Sequence, residues 1–195
     1  MVVVVVVVQV KLAAGHVVRR IEVHQSFFGE PARATAKEHE GYSYEGAEGS
    51  FELLMMQSVG TLRRLFDLVG FRCIVEKRGE GEEAITEATV KLIVDGQERL
   101  TVAEGDGPVH ALDGALRKAL LEFYPELETI KLTDFKVRVV NTKEGTAAKV
   151  RVIIDSRDGE QSWSTVGVST NMIEASWLAL LDSVAYGLLR CENRG

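Results

Sequence analysis

The histidines, cysteines and short motifs of this 195-residue chain do not combine into a catalytic or metal site. The four histidines, at positions 16, 24, 39 and 110, form no HxH or HxxxH pair that would place two imidazoles on one metal ion. Cys73 and Cys191 lie far apart without a CxxC pair, so neither a zinc site nor a disulfide framework is indicated. The nucleophile motifs GxSxG and SxxK and the phosphate-binding motif GxxxxGK[ST] do not occur. The sequence therefore predicts no catalytic residue and no metal ligand in this chain.

One short motif, Gly105-Asp106-Gly107-Pro108, has the chemistry to bind a small anion. Its two glycines allow close approach of a ligand to the backbone, and Pro108 stands where a helix is predicted to begin. A helix N-terminus offers unpaired amides and a partial positive charge to a carboxylate or phosphate. An ordinary turn between strand and helix would use the same residues, so the motif leaves both interpretations open. The stretch 167–171 is its counterpart in the second half, with the same two interpretations.

The elements around this motif follow the order β-β-β-α. Apolar and polar residues alternate from Phe71 to Arg78, from Thr86 to Val94 and again from Glu98 to Ala103, which is typical of half-buried strands. Asp95-Gly96 predicts a hairpin turn between the second and third strands. A helix follows, with the apolar positions Val109, Leu112, Leu116, Leu120 and Phe123 on one face.

The same order then repeats, which is the most informative pattern in the chain. Alternation returns from Asp134 to Val140, from Ala147 to Ile154 and from Gln161 to Val168, and a last helix runs from Ile173 to Leu188. A shift of 64 positions superimposes the two predicted helices. We therefore predict an α+β fold of two β-β-β-α units, at residues 70–125 and 131–190, related by internal pseudo-two-fold symmetry within a regulatory domain of residues 70–195.

The region before residue 70 divides into two parts. Residues 31–69 read as a small, mostly helical linker subdomain: one helix from Pro31 to Gly41, and one from Ser50 to Gly60. In the second helix an apolar face of Phe51, Leu54, Met55 and Val59 is expected to be core. Residues 1–30 are assigned to no subdomain, because the valine run at 2–8 fits either a native strand or a non-native stretch.

Charge and hydropathy limit the partners. There are 29 Asp and Glu against 23 Lys and Arg, a net charge of −6, and no basic run is longer than the pairs Arg19-Arg20 and Arg63-Arg64. A nucleic-acid surface is therefore not expected. The valine run is too short to span a bilayer, which takes about 20 apolar residues, so no membrane segment is expected. Two cysteines without a disulfide pattern fit a reducing, cytoplasmic location.

Four separated segments carry a family resemblance: AEGDGPV at 103–109, LTDFKVRV at 132–139, GTAA at 145–148, and the long stretch from Trp163 to Ser183. They resemble the C-terminal regulatory domain of the citramalate synthase and 2-isopropylmalate synthase family. The resemblance covers about residues 38–190 and looks closer to citramalate synthases because of the last helix, while residues 41–54 look like the linker of that family.

The resemblance implies a feedback-inhibition domain that works as a homodimer and binds a branched-chain amino acid between chains. Carried over position by position, the effector site would comprise Gly105, Asp106, Gly107, Pro108, Val139, Thr146 and Ala147. The resemblance also implies a parent acyltransferase, whose separate catalytic barrel would use a divalent metal and acetyl-CoA. This chain is expected to hold no cofactor and to act on that barrel.

Three functions stay open at this point. The domain could bind isoleucine for a citramalate synthase or leucine for a 2-isopropylmalate synthase, since a shifted methyl group changes pocket fit by only about 1–3 kcal/mol. A ligand-free dimerisation module is the third, because apolar helices of this kind serve an interface equally well.

Overall fold

The computed structural model describes residues 4–6, 21–23, 37, 41–77, 79–140 and 148–192. Two short strands, β1 (Val4–Val6) and β2 (Ile21–Val23), pair antiparallel, which places part of the valine run in a strand. Helix α1 spans Glu48–Ser58. The predicted helix from Pro31 to Gly41 falls mostly outside the described residues.

The first β-β-β-α unit forms as the alternating pattern predicts. It comprises β3 (Asp67–Glu76), β4 (Ile85–Val94), β5 (Gln97–Gly105) and helix α2 (Pro108–Leu120), with the strands in the order β3-β4-β5 in an antiparallel sheet. The β4–β5 hairpin closes on Asp95 and Gly96, whose φ angles of 48° and 74° are those of a type I′ turn. The predicted hairpin is therefore confirmed.

The second unit repeats this arrangement. Strands β6 (Lys131–Val139), β7 (Val150–Arg157) and β8 (Ser162–Ser169) form a sheet in that order, and helix α3 (Met172–Glu192) follows. A 3₁₀ turn at Pro125–Glu128 joins the two units. The predicted α+β fold of two such units is confirmed.

The two units match in detail at the predicted spacing of 64 positions. Helix α2 begins at residue 108 and α3 at 172, and β3 and β6 begin at 67 and 131. The Thr101 hydroxyl donates to the Ala115 carbonyl at 2.7 Å, and the equivalent Thr165 hydroxyl donates to the Ala179 carbonyl at 2.8 Å. The first strands of the two sheets also shift register at equivalent places, β3 between Leu68 and Gly70 and β6 between Leu132 and Asp134.

One core joins the units. Helices α2 and α3 pack on their own sheets and on each other, and β3 reaches α3 through Phe71, whose ring centroid lies 4.9 Å from that of Trp177. Arg117 fixes the connection: it pairs with Asp113 at 2.8 Å and donates to two carbonyl groups of the joining turn. The core therefore runs through both repeats.

The face of α1 that packs differs from the predicted one. The buried residues are Gly49, Ser50 and Leu53, whereas Phe51, Leu54 and Met55 are partly exposed and Val59 is 43% exposed. Helix α1 lies against β8, and a Cβ on Gly49 would sit 3.0 Å from the Thr165 side chain. Close contact between a helix and a strand requires small residues. Small residues carry no apolar signal, and the prediction from apolar periodicity was therefore wrong about which face packs.

Helix α3 is the one helix of the described residues whose length and composition would suffice to cross a bilayer. More than half of that segment is buried inside the protein, where it packs on β7, β8 and α1. Its apolar character is therefore accounted for by its place in the core.

Candidate functional site

The predicted anion-binding motif forms the start of α2. Gly107 caps the helix with an extended backbone, no side chain caps it, and Pro108 is the first helical residue. The first amide bonded into the helix is that of Ala111, which donates to the Gly107 carbonyl at 3.0 Å. The amides of Val109 and His110 in the first turn therefore have no partner within the helix. They point away from the helix body with the positive end of its dipole.

His110 and Asp106 lie side by side at this terminus. The His110 Nδ1 atom is 3.4 Å from an Asp106 carboxylate oxygen and accepts a hydrogen bond from the Asp106 amide at 3.3 Å. The Asp106 side chain is fully exposed, and that of His110 is mostly so. Two opposite groups therefore meet at one point: the helix amides, which suit a carboxylate, and the Asp106 carboxylate, which suits an ammonium.

The two glycines of the motif have different roles. A Cβ on Gly105 would lie 2.5 Å from the Ala111 amide nitrogen, so glycine there lets the end of β5 touch the first turn of α2. A Cβ on Gly107 would meet nothing within 4 Å, and its φ of −166° suits any residue. Gly105 is therefore explained by packing, whereas nothing in the packing of the described residues requires glycine at 107.

The counterpart at α3 is already capped by its own residues. The Asn171 side-chain oxygen accepts from the Ile173 amide at 2.8 Å, and the Ser169 hydroxyl donates to Glu174 at 2.6 Å. Gly167 is a packing glycine, because a Cβ there would overlap the Ala175 carbonyl oxygen. Within the part of the chain that the structure describes, the first amides of α2 stay available to a ligand, whereas those of α3 are capped.

The other predicted effector residues lie apart from this motif. Val139 ends β6 in the second sheet and is 55% exposed. Its equivalent in the first unit, Val75, lies near the end of β3 and is 56% exposed. Thr146 and Ala147 lie outside the described residues.

The edge strands β3 and β6 expose apolar side chains on the face of each sheet that carries the helix. In an antiparallel pair, residues that lie directly opposite each other point to the same face of the sheet. Val75 lies opposite the core-facing Thr86. Val137 lies opposite Val152, and Val139 lies opposite Val150, both of which face the core. Phe135 is opposite the buried Ile154. These four side chains, exposed by 36–56%, are the apolar edge of the molecule.

Sequence reasoning missed a cavity of about 280 Å³ between α1 and α3. The Asp182 carboxylate lines it and accepts a hydrogen bond from the Ser50 hydroxyl at 2.6 Å. Ser50 in turn accepts from the Val166 amide at 2.9 Å. Burial raises the pKa of the Asp182 carboxyl to about 6, against the opposing effects of the Ser50 hydrogen bond and the Lys37 charge. The sequence held one signal for this site: Asp182 is an aspartate at a position on the buried side of the long apolar helix α3.

Across the part of the chain that the structure describes, no three His, Cys, Asp or Glu residues cluster in a way that could hold a metal ion.

Comparison with known proteins agrees with this architecture. Residues 45–188 match the model of the LeuA allosteric (dimerisation) domain. The chain is 54% identical over 156 residues to an (R)-citramalate synthase of Geobacter sulfurreducens, covering 80% of this chain and 30% of that protein. An (R)-citramalate synthase of Aquifex aeolicus is 51% identical over 81% of this chain and 30% of its own length. A 2-isopropylmalate synthase of Acidimicrobium ferrooxidans is 36% identical over 72% of this chain and 25% of its own.

The chain thus spans about 30% of the length of these two citramalate synthases. The matched region begins near α1 and ends in α3, so it takes in both repeats and the helix packed against them. The repeat found in the sequence, the two sheets found in the structure and the family match over most of the chain agree. The chain is therefore a member of the LeuA allosteric (dimerisation) domain family.

Proposed function

We propose that this chain is the regulatory part of a citramalate synthase and binds a branched-chain amino acid, isoleucine in preference, at the start of α2. Binding there controls by feedback the condensation of acetyl-CoA with a 2-oxo acid in a catalytic barrel outside this chain. The proposed location is the cytoplasm, in keeping with the biosynthetic character of the relatives. The observation that carries the proposal is the uncapped N-terminus of α2 with Asp106 beside it.

The chemistry of an amino acid matches this terminus. The amides of Val109 and His110 provide donors for the carboxylate, and Asp106 provides an acceptor for the ammonium. The open space around Gly107 leaves room for the backbone of the ligand. An aliphatic side chain needs an apolar wall in addition, which within one chain this exposed turn does not supply.

A second copy of the chain is the proposed source of that wall. The apolar edge of Val75, Phe135, Val137 and Val139 lies on the core side of both sheets, where side chains are normally covered. An isologous dimer would cover it in both copies. A ligand that lies between the copies would favour one arrangement of the dimer, and this preference is how a domain without catalytic groups could control a distant active site.

Calorimetric titration of the chain with isoleucine, leucine and valine tests the ligand. We expect isoleucine to bind and Gly107→Val to abolish the heat from the start of α2, because the valine side chain would occupy the ligand space while the fold stays intact. Gly107→Ala, which adds one methyl group to the same space, is the graded control. Normal isoleucine binding by Gly107→Val would remove the site assignment.

Two alternatives correspond to other outcomes of this titration. Leucine-selective binding would place the chain with the 2-isopropylmalate synthases, to one of which it is 36% identical. A dimer by light scattering that binds none of the three amino acids would leave a structural dimerisation module. The higher identity to citramalate synthases favours isoleucine.

A further inference from the structure

We propose that the cavity between α1 and α3 is a second binding site, for a small molecule that carries a primary ammonium group on a short aliphatic arm. The site is separate from the start of α2 and does not depend on the function proposed for it. Its anchor is the carboxylate of Asp182.

The Asp182 carboxylate is positioned to accept further hydrogen bonds from the cavity. Asp182 lies on α3 and faces α1, and the Ser50 hydroxyl is its hydrogen-bond donor among the described residues. An ionised carboxylate can accept about four hydrogen bonds. Ser50 is already engaged with the Val166 amide, so it holds the carboxylate in place while the carboxylate keeps acceptor capacity toward the cavity.

The buried carboxylate has an energetic cost when the site is free. Withdrawal of the Asp182 carboxylate from water is unfavourable, and burial is accordingly the main cause of its altered pKa. The Lys37 charge offsets only part of that cost, and a hydrogen-bonded cation would offset more of it. A metal ion is a poor occupant, because the described residues bring no cluster of three potential ligands together.

The remaining lining suits an aliphatic arm. Leu53, Leu54, Leu181 and Ala185 form apolar walls, and Tyr42 and Tyr44 add aromatic faces of the kind that attract cations. The Lys37 ammonium already uses the Tyr42 ring, at 4.8 Å from its centroid. A volume of about 280 Å³ is near the lower end of small-molecule sites, so the ligand is small.

The two arginines of the rim are engaged elsewhere and do not occupy the carboxylate. Arg63 pairs with Glu192 and Arg64 with Asp67, each at 3.0 Å. Both arginine side chains are largely exposed, so a carboxylate on the ligand could exchange with these weak surface pairs. The ammonium could therefore belong to a simple amine or to an amino acid.

NMR titration of the full chain with n-butylammonium and, separately, isoleucine tests the site. We expect at least one of them to shift the Ser50 and Val166 amide resonances, with affinity at least about tenfold weaker in Asp182→Asn. Ala185→Leu, which fills the cavity without changing charge, should weaken binding as well. Asp134→Asn, at an exposed carboxylate of β6 that pairs with Lys136 of the same strand, is the matched control and should bind as the wild type does.

The resonances that move separate this site from the start of α2. Shifts at Val109 and His110 that Gly107→Val removes belong to the function proposed above. Shifts at Ser50 and Val166 that Gly107→Val leaves in place belong to the cavity. The absence of Ser50 and Val166 shifts with both ligands, or equal affinity in wild type and Asp182→Asn, would overturn the cavity proposal.

Discussion

Replacement of Asp182 by asparagine should stabilise the free protein at neutral pH. The carboxyl has a pKa of about 6 in the fold, against an ordinary value of 3.8. At about 1.4 kcal/mol for each tenfold change in proton affinity, ionisation of this group in the fold costs about 3 kcal/mol relative to the unfolded chain. Asparagine keeps an oxygen to accept from Ser50 but adds an N–H₂ group that must also be desolvated. We therefore expect a gain of about 1–3 kcal/mol in the free energy of unfolding.

The direction in which this stability difference changes with pH follows from the raised pKa of Asp182 in the folded state. The proton bound by the folded protein stabilises it fully below about pH 3.8, and this contribution is lost as pH rises through about 6. The difference between Asp182→Asn and wild type should therefore be small near pH 4, grow between about pH 4 and 6, and stay constant above about pH 7.

Urea unfolding followed by tryptophan fluorescence at several pH values measures this difference. Asp134→Asn, at an exposed pair, should leave the free energy of unfolding nearly unchanged. Ser50→Ala should destabilise, since it removes the donor and leaves the buried charge. If Asp182→Asn were less stable than wild type at neutral pH, or the difference did not change with pH, the account of Asp182 as a costly buried charge would be wrong.

Two further matched pairs of variants test the packing. Gly167→Ala should destabilise the protein by about 3 kcal/mol or more, because its methyl group would overlap the Ala175 carbonyl oxygen and lie 2.7 Å from the Ala179 amide nitrogen. Gly107→Ala is the control and should be nearly neutral in chemical denaturation. Equal effects of the two variants would contradict the close approach of β8 to α3. Trp163→Phe should cost about 0.5–1.5 kcal/mol more than Trp177→Phe, because the Trp163 indole donates to a carbonyl at 3.2 Å whereas the buried Trp177 N–H has no acceptor among the described residues. Thermal unfolding of the two variants side by side measures this, and a larger loss for Trp177→Phe would refute it.

The repeat architecture could be predicted because its signals are local. Alternation of period two, the Asp95-Gly96 turn and the apolar faces of two helices depend on neighbouring residues, and the sequence repeats them at 64 positions. The helix start at Gly107-Pro108 is local in the same sense. These features appeared at the expected positions, with element ends shifted by a few residues.

The environment of each helix start was decided by tertiary contact. The stretches before α2 and α3 allowed the same two interpretations in the sequence. In the fold, the Asn171 side chain accepts from the first amides of α3, whereas among the described residues no side chain caps the start of α2. Gly105 is explained by its close contact with Ala111. These distinctions depend on which atoms meet across the strand and the helix.

The sequence by itself determined the two β-β-β-α units, their symmetry and the motif at the start of α2. Only the tertiary structure decided which face of α1 packs and where Asp182 lies. Ser50 and Asp182 are 132 positions apart, and their hydrogen bond forms only because α1 docks beside α3 through the small residues Gly49 and Ser50. Periodicity identifies an apolar face, but the closeness of two backbones is set by the smallest side chains between them, and these carry no hydrophobic signal.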